Sequence, residues 1–286
     1  MRPFDPRLTP ARPDLAAKAL EGKVVAARYV EGRVYEVIEP QAPLRGEPRP
    51  DAPLSTEALK GERVTVYDQN AEGWSWGQLA SDDYVGWLPT NALAPPGPPP
   101  THKVAALRTF AFAAPSIKTP PIEALPFGAR LAIGRTEGGF AVTPAGAFVP
   151  AVHLVAVDAE EPDFVAVAER FLGVPYLWGG KTALGLDCSG LVQVALAACG
   201  RRCPRDSDMQ EESLGTAVAA ANLAALERGD LVFWKGHVAI ARDRATFIHA
   251  NAFHMAVAVE PVAAALARIR QAGCEVTGVR RIGRPL

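Results

Sequence analysis

Cys188 stands in the stretch GLDCSGLVQVALAACG, after a loop rich in glycine and aromatic residues and at the start of an apolar run with helical spacing. A thiol in that place is either core filling or a nucleophile, and its neighbours bear on the choice. Asp187 is a good helix N-cap, which puts Cys188 in the first turn, where unpaired backbone N–H groups and the positive end of the helix dipole favour a thiolate. The thiolate is the attacking species in thiol catalysis, and the same N–H groups can hold an oxyanion formed beside it. A base must come from elsewhere in the chain. His237 opens HVAIA and His249 lies twelve residues later in FIHA, with the polar turn RDRA between them. Two strands joined in this way form a hairpin, and one centred near residue 243 sets positions 237 and 249 opposite each other on one face. Nucleophile, base and orienter are then Cys188, His237 and His249. The other histidines, His102, His153 and His254, read as surface or packing residues.

These side chains need a scaffold, and the pattern from residue 158 onward supplies one. Pro162 and Asp163 mark a helix start, Phe164, Val167, Ala168, Phe171 and Leu172 share one face, and Gly173 is placed to end the helix. The helix that begins at Cys188 closes at Gly200, and DLVFW, HVAIAR and TFIHA read as strands. Residues 158–286 are thus predicted to form an α+β domain. Upstream, residues 31–94 show short strands with regular turn punctuation, as in ERVTVYD, WSWGQLA and YVGWLP, which predicts a small β-barrel. A stiff proline-rich linker over 95–102 leads to a second unit at 103–157 in which the same order recurs. EALKGERVTV answers EALPFGARLAI, AEGWSW answers EGGFAV, and GWLPTNAL answers AFVPAVHL. Residues 1–30 read as an N-terminal arm with one helix or strand packed on a later domain. Trp74, Trp76, Tyr84 and Trp87 read as core and rim packing before they read as ligand contacts.

Composition narrows the function classes. A chain of 286 residues can bury a core in each of two or three units. With 30 basic and 31 acidic residues it carries no field to gather nucleic acid or coat an anionic membrane, so neither is expected as a partner. The opening MRPFDPRLTPARPDLAAKALEG holds no run like a signal peptide, and no window approaches a bilayer span, so a cytoplasmic protein is expected. The four cysteines have neither disulfide-scaffold density nor paired C-x-x-C spacing, and no metal or other cofactor is expected.

PYLWGG, GLDCSGLVQ, PRDSDMQ, RGDLVFWKGHVAI and FIHA, spread over residues 160–255, together resemble the NlpC/P60 family of papain-like cysteine peptidases. The upstream repeats resemble bacterial SH3-like domains through their closing segments. The expected fold class is therefore two small SH3-like β-barrels followed by an α+β papain-like domain. The resemblance implies hydrolysis of bacterial cell-wall peptides at the bond between γ-linked D-glutamate and a diamino acid such as diaminopimelate. It implies Cys188 as nucleophile, His237 as base, His249 as third polar member, and Tyr176 beside the sulfur as an oxyanion or positioning group. From members preceded by SH3-like domains it further implies that Asp187, Ser189 and Ser207 line a pocket for the amine of an N-terminal L-alanine. In such members the first barrel narrows the cleft with an aromatic and an acidic residue, here Tyr84 and Glu62. Substrates would then be short murein peptides with a free amine, met in cell-wall peptide recycling. A non-catalytic wall-peptide receptor, and an amidase or acyltransferase on the same fold, are the alternatives.

Overall fold

The computed structural model of the chain describes residues 4–218, 223 and 225–283. Residues 1–3 of the expected arm, and 219–222, 224 and 284–286 of the expected C-terminal domain, lie outside the described residues. The chain divides into two compact units, Met1–Ala159 and Glu160–Leu286.

The first unit holds both β-repeats. A seven-stranded sheet runs in the spatial order Leu54–Leu59, Gln41–Arg45, Val85–Pro89, Trp74–Leu79, Arg63–Gln69, Arg33–Val37 and Leu93–Ala94. Its strands pair antiparallel, and Val64 and Val66 point inward while Arg63 and Thr65 are half-exposed, the period-two pattern of a sheet with one buried face. The second repeat is smaller, with a five-stranded sheet and a three-stranded one around Val104, Ala111, Leu125, Ala129, Leu131 and Val149. The repeat seen in the letters is also conformational. Gly61 and Gly128, each just past an EAL strand, turn with φ of +81° and +83°, a region open to glycine. Pro89 and Pro150 each lead into a single 3-10 turn, Thr90–Ala92 and Ala151–His153.

The arm folds back on itself, with Ala16–Ala17 beside Tyr29–Val30, and packs on the first barrel. Leu15 joins Trp76, Val85 and Trp87 in a buried cluster, and the Arg12 guanidinium lies 4.4 Å and 4.9 Å from the ring centres of Trp76 and Trp87.

The second unit is built around an antiparallel six-stranded sheet in the order Thr216–Val218, Val276–Arg281, Asp230–Trp234, His237–Ala241, Thr246–Asn251 and Ala256–Pro261. Four helices accompany it among the described residues: α1 (Phe164–Glu169), α2 (Cys188–Ala198), α3 (Ser207–Ser213) and α4 (Val262–Gln271). α1 starts where expected, with Asp163 Oδ1 accepting the Val165 N–H at 2.9 Å, but it ends at Glu169, short of Gly173, in a turn that buries Phe171. α4 seats Ala265 and Ile269 against Val232, Trp234, Ala239, Ala241 and Phe247. The segment 173–176 pairs with the outermost strand: Gly173 N–H donates to Val257 O, Val257 N–H to Val174 O, and Tyr176 N–H to Met255 O. No described helix is long and apolar enough to cross a membrane.

Candidate active site

Cys188 is the first residue of α2, and the reason is local. Asp187 adopts an extended conformation and its Oδ1 accepts the Gly190 N–H at 2.7 Å, which caps the helix one residue before the thiol. Gly190 is required by space, because a Cβ there would lie 2.4 Å from the carbonyl oxygen of Gly180. The sulfur is buried and receives backbone N–H groups from Ser189 and from Val238. Val238 immediately follows His237, so the first turn of α2 meets the start of the histidine strand.

That strand forms a hairpin with Thr246–Asn251, but its centre differs from the sequence expectation. Ile240 faces Ile248 and Ala241 faces Phe247, which centres the hairpin on residue 244 rather than 243. The cause is Asp243, whose Oδ1 accepts the N–H groups of Ala245 and Thr246, both at 2.8 Å, and so draws the tip one residue along. A one-residue shift of the centre moves each cross-strand partner by two and keeps it on the same face. His237 and His249 are therefore diagonal neighbours instead of directly opposed ones, and they still meet, with His237 Nε2 3.0 Å from His249 Nδ1. His249 Nε2 continues to Glu260 Oε2 at 3.2 Å, and Arg268 of α4 clamps Glu260 through Nε to Oε1 at 3.1 Å and Nη2 to Oε2 at 2.6 Å.

The ionisation of these groups follows from burial. Burial pushes the Cys188 thiol up to about 11; the Asp187 charge adds to this, and the Val238 and Ser189 N–H groups and Arg205 oppose it. Burial likewise pushes His237 down to about 3 and His249 down to about 4, the latter against the pull of Glu260. Both shifts favour a neutral thiol beside a neutral imidazole. Burial thus works against the thiolate that the helix N-terminus and the Ser189 and Val238 N–H groups favour. Tyr176 is half-buried and its phenol is pushed up to about 12, first by burial and then by the electrostatic influence of Cys188 and Asp187, so it remains a hydrogen-bond donor.

Asp187 and Ser189 are buried together beside Arg205. Asp187 accepts from Gly179 N–H at 2.8 Å and from Arg205 through Nη1 at 2.9 Å and Nη2 at 2.7 Å, besides its capping bond. Arg205 also donates to Ser189 Oγ at 2.9 Å, and its side chain is only 1% exposed. A carboxylate so held fixes the start of α2 and ties it to Arg205. Ser207 opens α3 and is half-buried, two residues beyond Arg205. Tyr84 and Glu62 belong to the first unit and are both buried there. Tyr84 N–H donates to Asp82 Oδ1 at 3.1 Å, and Glu62 Oε2 accepts the Leu59 N–H at 3.1 Å within its own turn.

Sequence reasoning passed over Arg205, Glu260 and Arg268. The signal for Glu260 was a lone acid in the alternating strand AVAVEP, followed eight residues later by an arginine.

Comparison with known proteins agrees with this architecture. Residues 44–93 match the bacterial dipeptidyl-peptidase Sh3 domain and residues 173–272 match the NlpC/P60 family. A protein of Bacillus cereus named gamma-D-glutamyl-L-lysine dipeptidyl-peptidase is 26% identical over 251 residues, covering 73% of this chain and 71% of that one. A protein of the same name from Bacillus subtilis is 31% identical over 196 residues, 64% of this chain and 65% of the relative. Dipeptidyl-peptidase 6 of Lysinibacillus sphaericus is 34% identical over 101 residues, so the chain spans little more than a third of it, 36%. Among solved structures, an NlpC/P60 family protein from Bacillus cereus superposes with a TM-score of 0.72 at 23% identity, over 87% of this chain and 99% of that one, which shows a shared fold. The chain thus carries a bacterial SH3 domain over residues 44–93 and, after it, an NlpC/P60 domain over residues 173–272.

Proposed function

We propose that this protein is a cysteine endopeptidase that hydrolyses the γ-D-glutamyl-diamino acid bond of murein peptides carrying a free N-terminal L-alanine, in cytoplasmic recycling of cell-wall peptides. The observation that carries the reading is the meeting of Cys188, at the start of α2, with the strand that presents His237 hydrogen-bonded to His249. The names of the Bacillus relatives support the substrate class.

In this reading the thiol proton passes to His237 Nδ1 as Cys188 Sγ bonds to the γ-carbonyl carbon of D-glutamate. Burial disfavours charge on both thiol and imidazole, which favours transfer of the proton together with attack. The carbonyl oxygen takes up negative charge, which in this reading the N–H groups at the start of α2 and the Tyr176 hydroxyl stabilise. The C–N bond then breaks, and the His237 imidazolium gives its proton to the leaving amine of the diamino acid. A water molecule attacks the thioester and cedes a proton to His237. The C–S bond breaks as the sulfur recovers that proton, and L-Ala-D-Glu leaves as the free acid.

The test is incubation with L-Ala-γ-D-Glu-diaminopimelate and with its N-acetylated counterpart, followed by mass spectrometry. Release of L-Ala-D-Glu from the free peptide alone is the expected result. Equal cleavage of both removes the free-amine requirement, and cleavage of neither overturns the endopeptidase reading. Cys188→Ala is expected to lower turnover at least ~10³-fold while peptide binding persists, measured by calorimetry.

A further inference from the structure

Three antiparallel strands carry a diagonal line of hydrogen-bonding side chains on one face, from His237 on Asp230–Trp234's neighbour through His249 to Glu260 on the outermost strand. Beyond Glu260 the line ends on α4 at Arg268, whose side chain is 26% exposed, while that of Glu260 is 8% exposed. The chemistry of the end member sets the rest. Glu260 is ionised, because the Arg268 guanidinium and His249 together hold its carboxyl below the usual range against the cost of burial. An ionised carboxylate only accepts, so His249 Nε2 must carry the hydrogen in that bond. A neutral His249 then has a lone pair at Nδ1, so His237 Nε2 must donate to it. That leaves the lone pair of His237 on Nδ1, the nitrogen that has to receive the thiol proton.

We propose that Glu260, clamped by Arg268, is the positioning residue that fixes the tautomers of both histidines and so makes His237 Nδ1 the basic nitrogen. The inference rests on the hydrolase reading above for its kinetic consequence, but the tautomer assignment stands on the hydrogen-bond geometry. Without Glu260, His249 is free to place its hydrogen on Nδ1, where it would oppose the His237 Nε2–H; relief requires a flip of the base or loss of the bond. The carboxylate also favours, through its field, the imidazolium formed on His237 during the reaction. The charged or titratable groups around the pair are Cys188 on α2, Glu260 on the edge strand, Arg268 on α4 and His254 on the turn after Asn251. Of these, Glu260 favours the charged imidazole, whereas Arg268 and His254 oppose it.

The decisive experiment compares Glu260→Gln and Arg268→Ala in the full chain. Glutamine keeps the shape and one acceptor but loses the charge, so kcat is expected to fall about 10- to 100-fold with KM little changed. The acidic limb of the pH profile should move to lower pH in Glu260→Gln and to higher pH in Arg268→Ala. A merely structural role would not move the limb in opposite directions. In a His249→Asn background, Glu260→Gln should cost little more, since its effect runs through His249. Unchanged kcat and limb in Glu260→Gln, or additive losses in the double variant, would overturn the proposal. Nitrogen-15 NMR of the imidazoles provides an arm that needs no turnover: wild type should show His249 protonated on Nε2 and His237 on Nε2, and other tautomers overturn the assignment. If the wild type cleaves no murein peptide, the endopeptidase reading falls and the NMR result still decides this one.

Discussion

Two carboxylate–guanidinium pairs flank the candidate site, and they are built for different tasks. Asp187–Arg205 is sealed, with side chains 9% and 1% exposed, and its donors and acceptors are spent on the cap of α2, Ser189 and the Gly180 carbonyl. Glu260–Arg268 keeps one end in solvent and spends an oxygen on an imidazole. The same two functional groups thus fix a backbone in one place and a proton in the other. The arginines make the difference, since the two carboxylates are equally buried while Arg205 is sealed and Arg268 reaches solvent. A fully desolvated ion pair is costly to break and so makes a rigid post, while a pair that reaches water can lose its arginine cheaply and acts chiefly through the field it sets.

The largest effect should come from breaking the sealed pair. Arg205→Met leaves Asp187 buried and uncompensated, and a loss on the order of 3–5 kcal/mol is expected in urea unfolding, most of it recovered by adding Asp187→Asn. A loss near that of a surface pair would erase the contrast. Next is pH. His237 and His249 titrate near 3 and 4 in the folded chain, against the ordinary 6.5 once unfolded. Between those values only the unfolded state binds the protons, so this stability is complete above about pH 6.5 and is lost as pH falls towards 4, by about 1.4 kcal/mol per pH unit for each histidine. His249→Asn should flatten that slope, as read by unfolding at several pH values; an unchanged slope would place its origin elsewhere. The lowered Glu260 carboxyl acts in the same direction but in a more acidic window, below its unfolded value near 4.3. The smallest effect belongs to Arg268→Ala: Glu260 is buried but its partner reaches water, so a loss between the roughly 1 kcal/mol of an exposed pair and the roughly 3 kcal/mol of a buried one is expected beside its displaced pH profile.

What could be read from the letters was what is local. The Asp187 cap and the α2 start follow from neighbours in sequence, and the repeated glycine turns of the barrels from motifs repeated in order. The hairpin was legible but its centre was not, because the side chain of Asp243 chose among tips that differ by one residue. Arg205 and Glu260 were not legible as site residues. A charged residue in PRDSDMQ or AVAVEP reads as a solvated face until the fold shows it buried. The raised thiol was hidden for the same reason: a helix N-terminus is written in sequence, whereas desolvation depends on segments far along the chain.

The pairing of residues 173–176 with Met255–Val257 bears on how the protein is made. The loop that leads to Tyr176 and Cys188 leaves the ribosome about eighty residues ahead of the strand that anchors it. Sheet-edge closure and presentation of the thiol are thereby one event, which waits for those later residues. A truncated or still-growing chain holds an unanchored loop beside an open strand edge, so unfinished copies are both inert as hydrolases and exposed to misassembly.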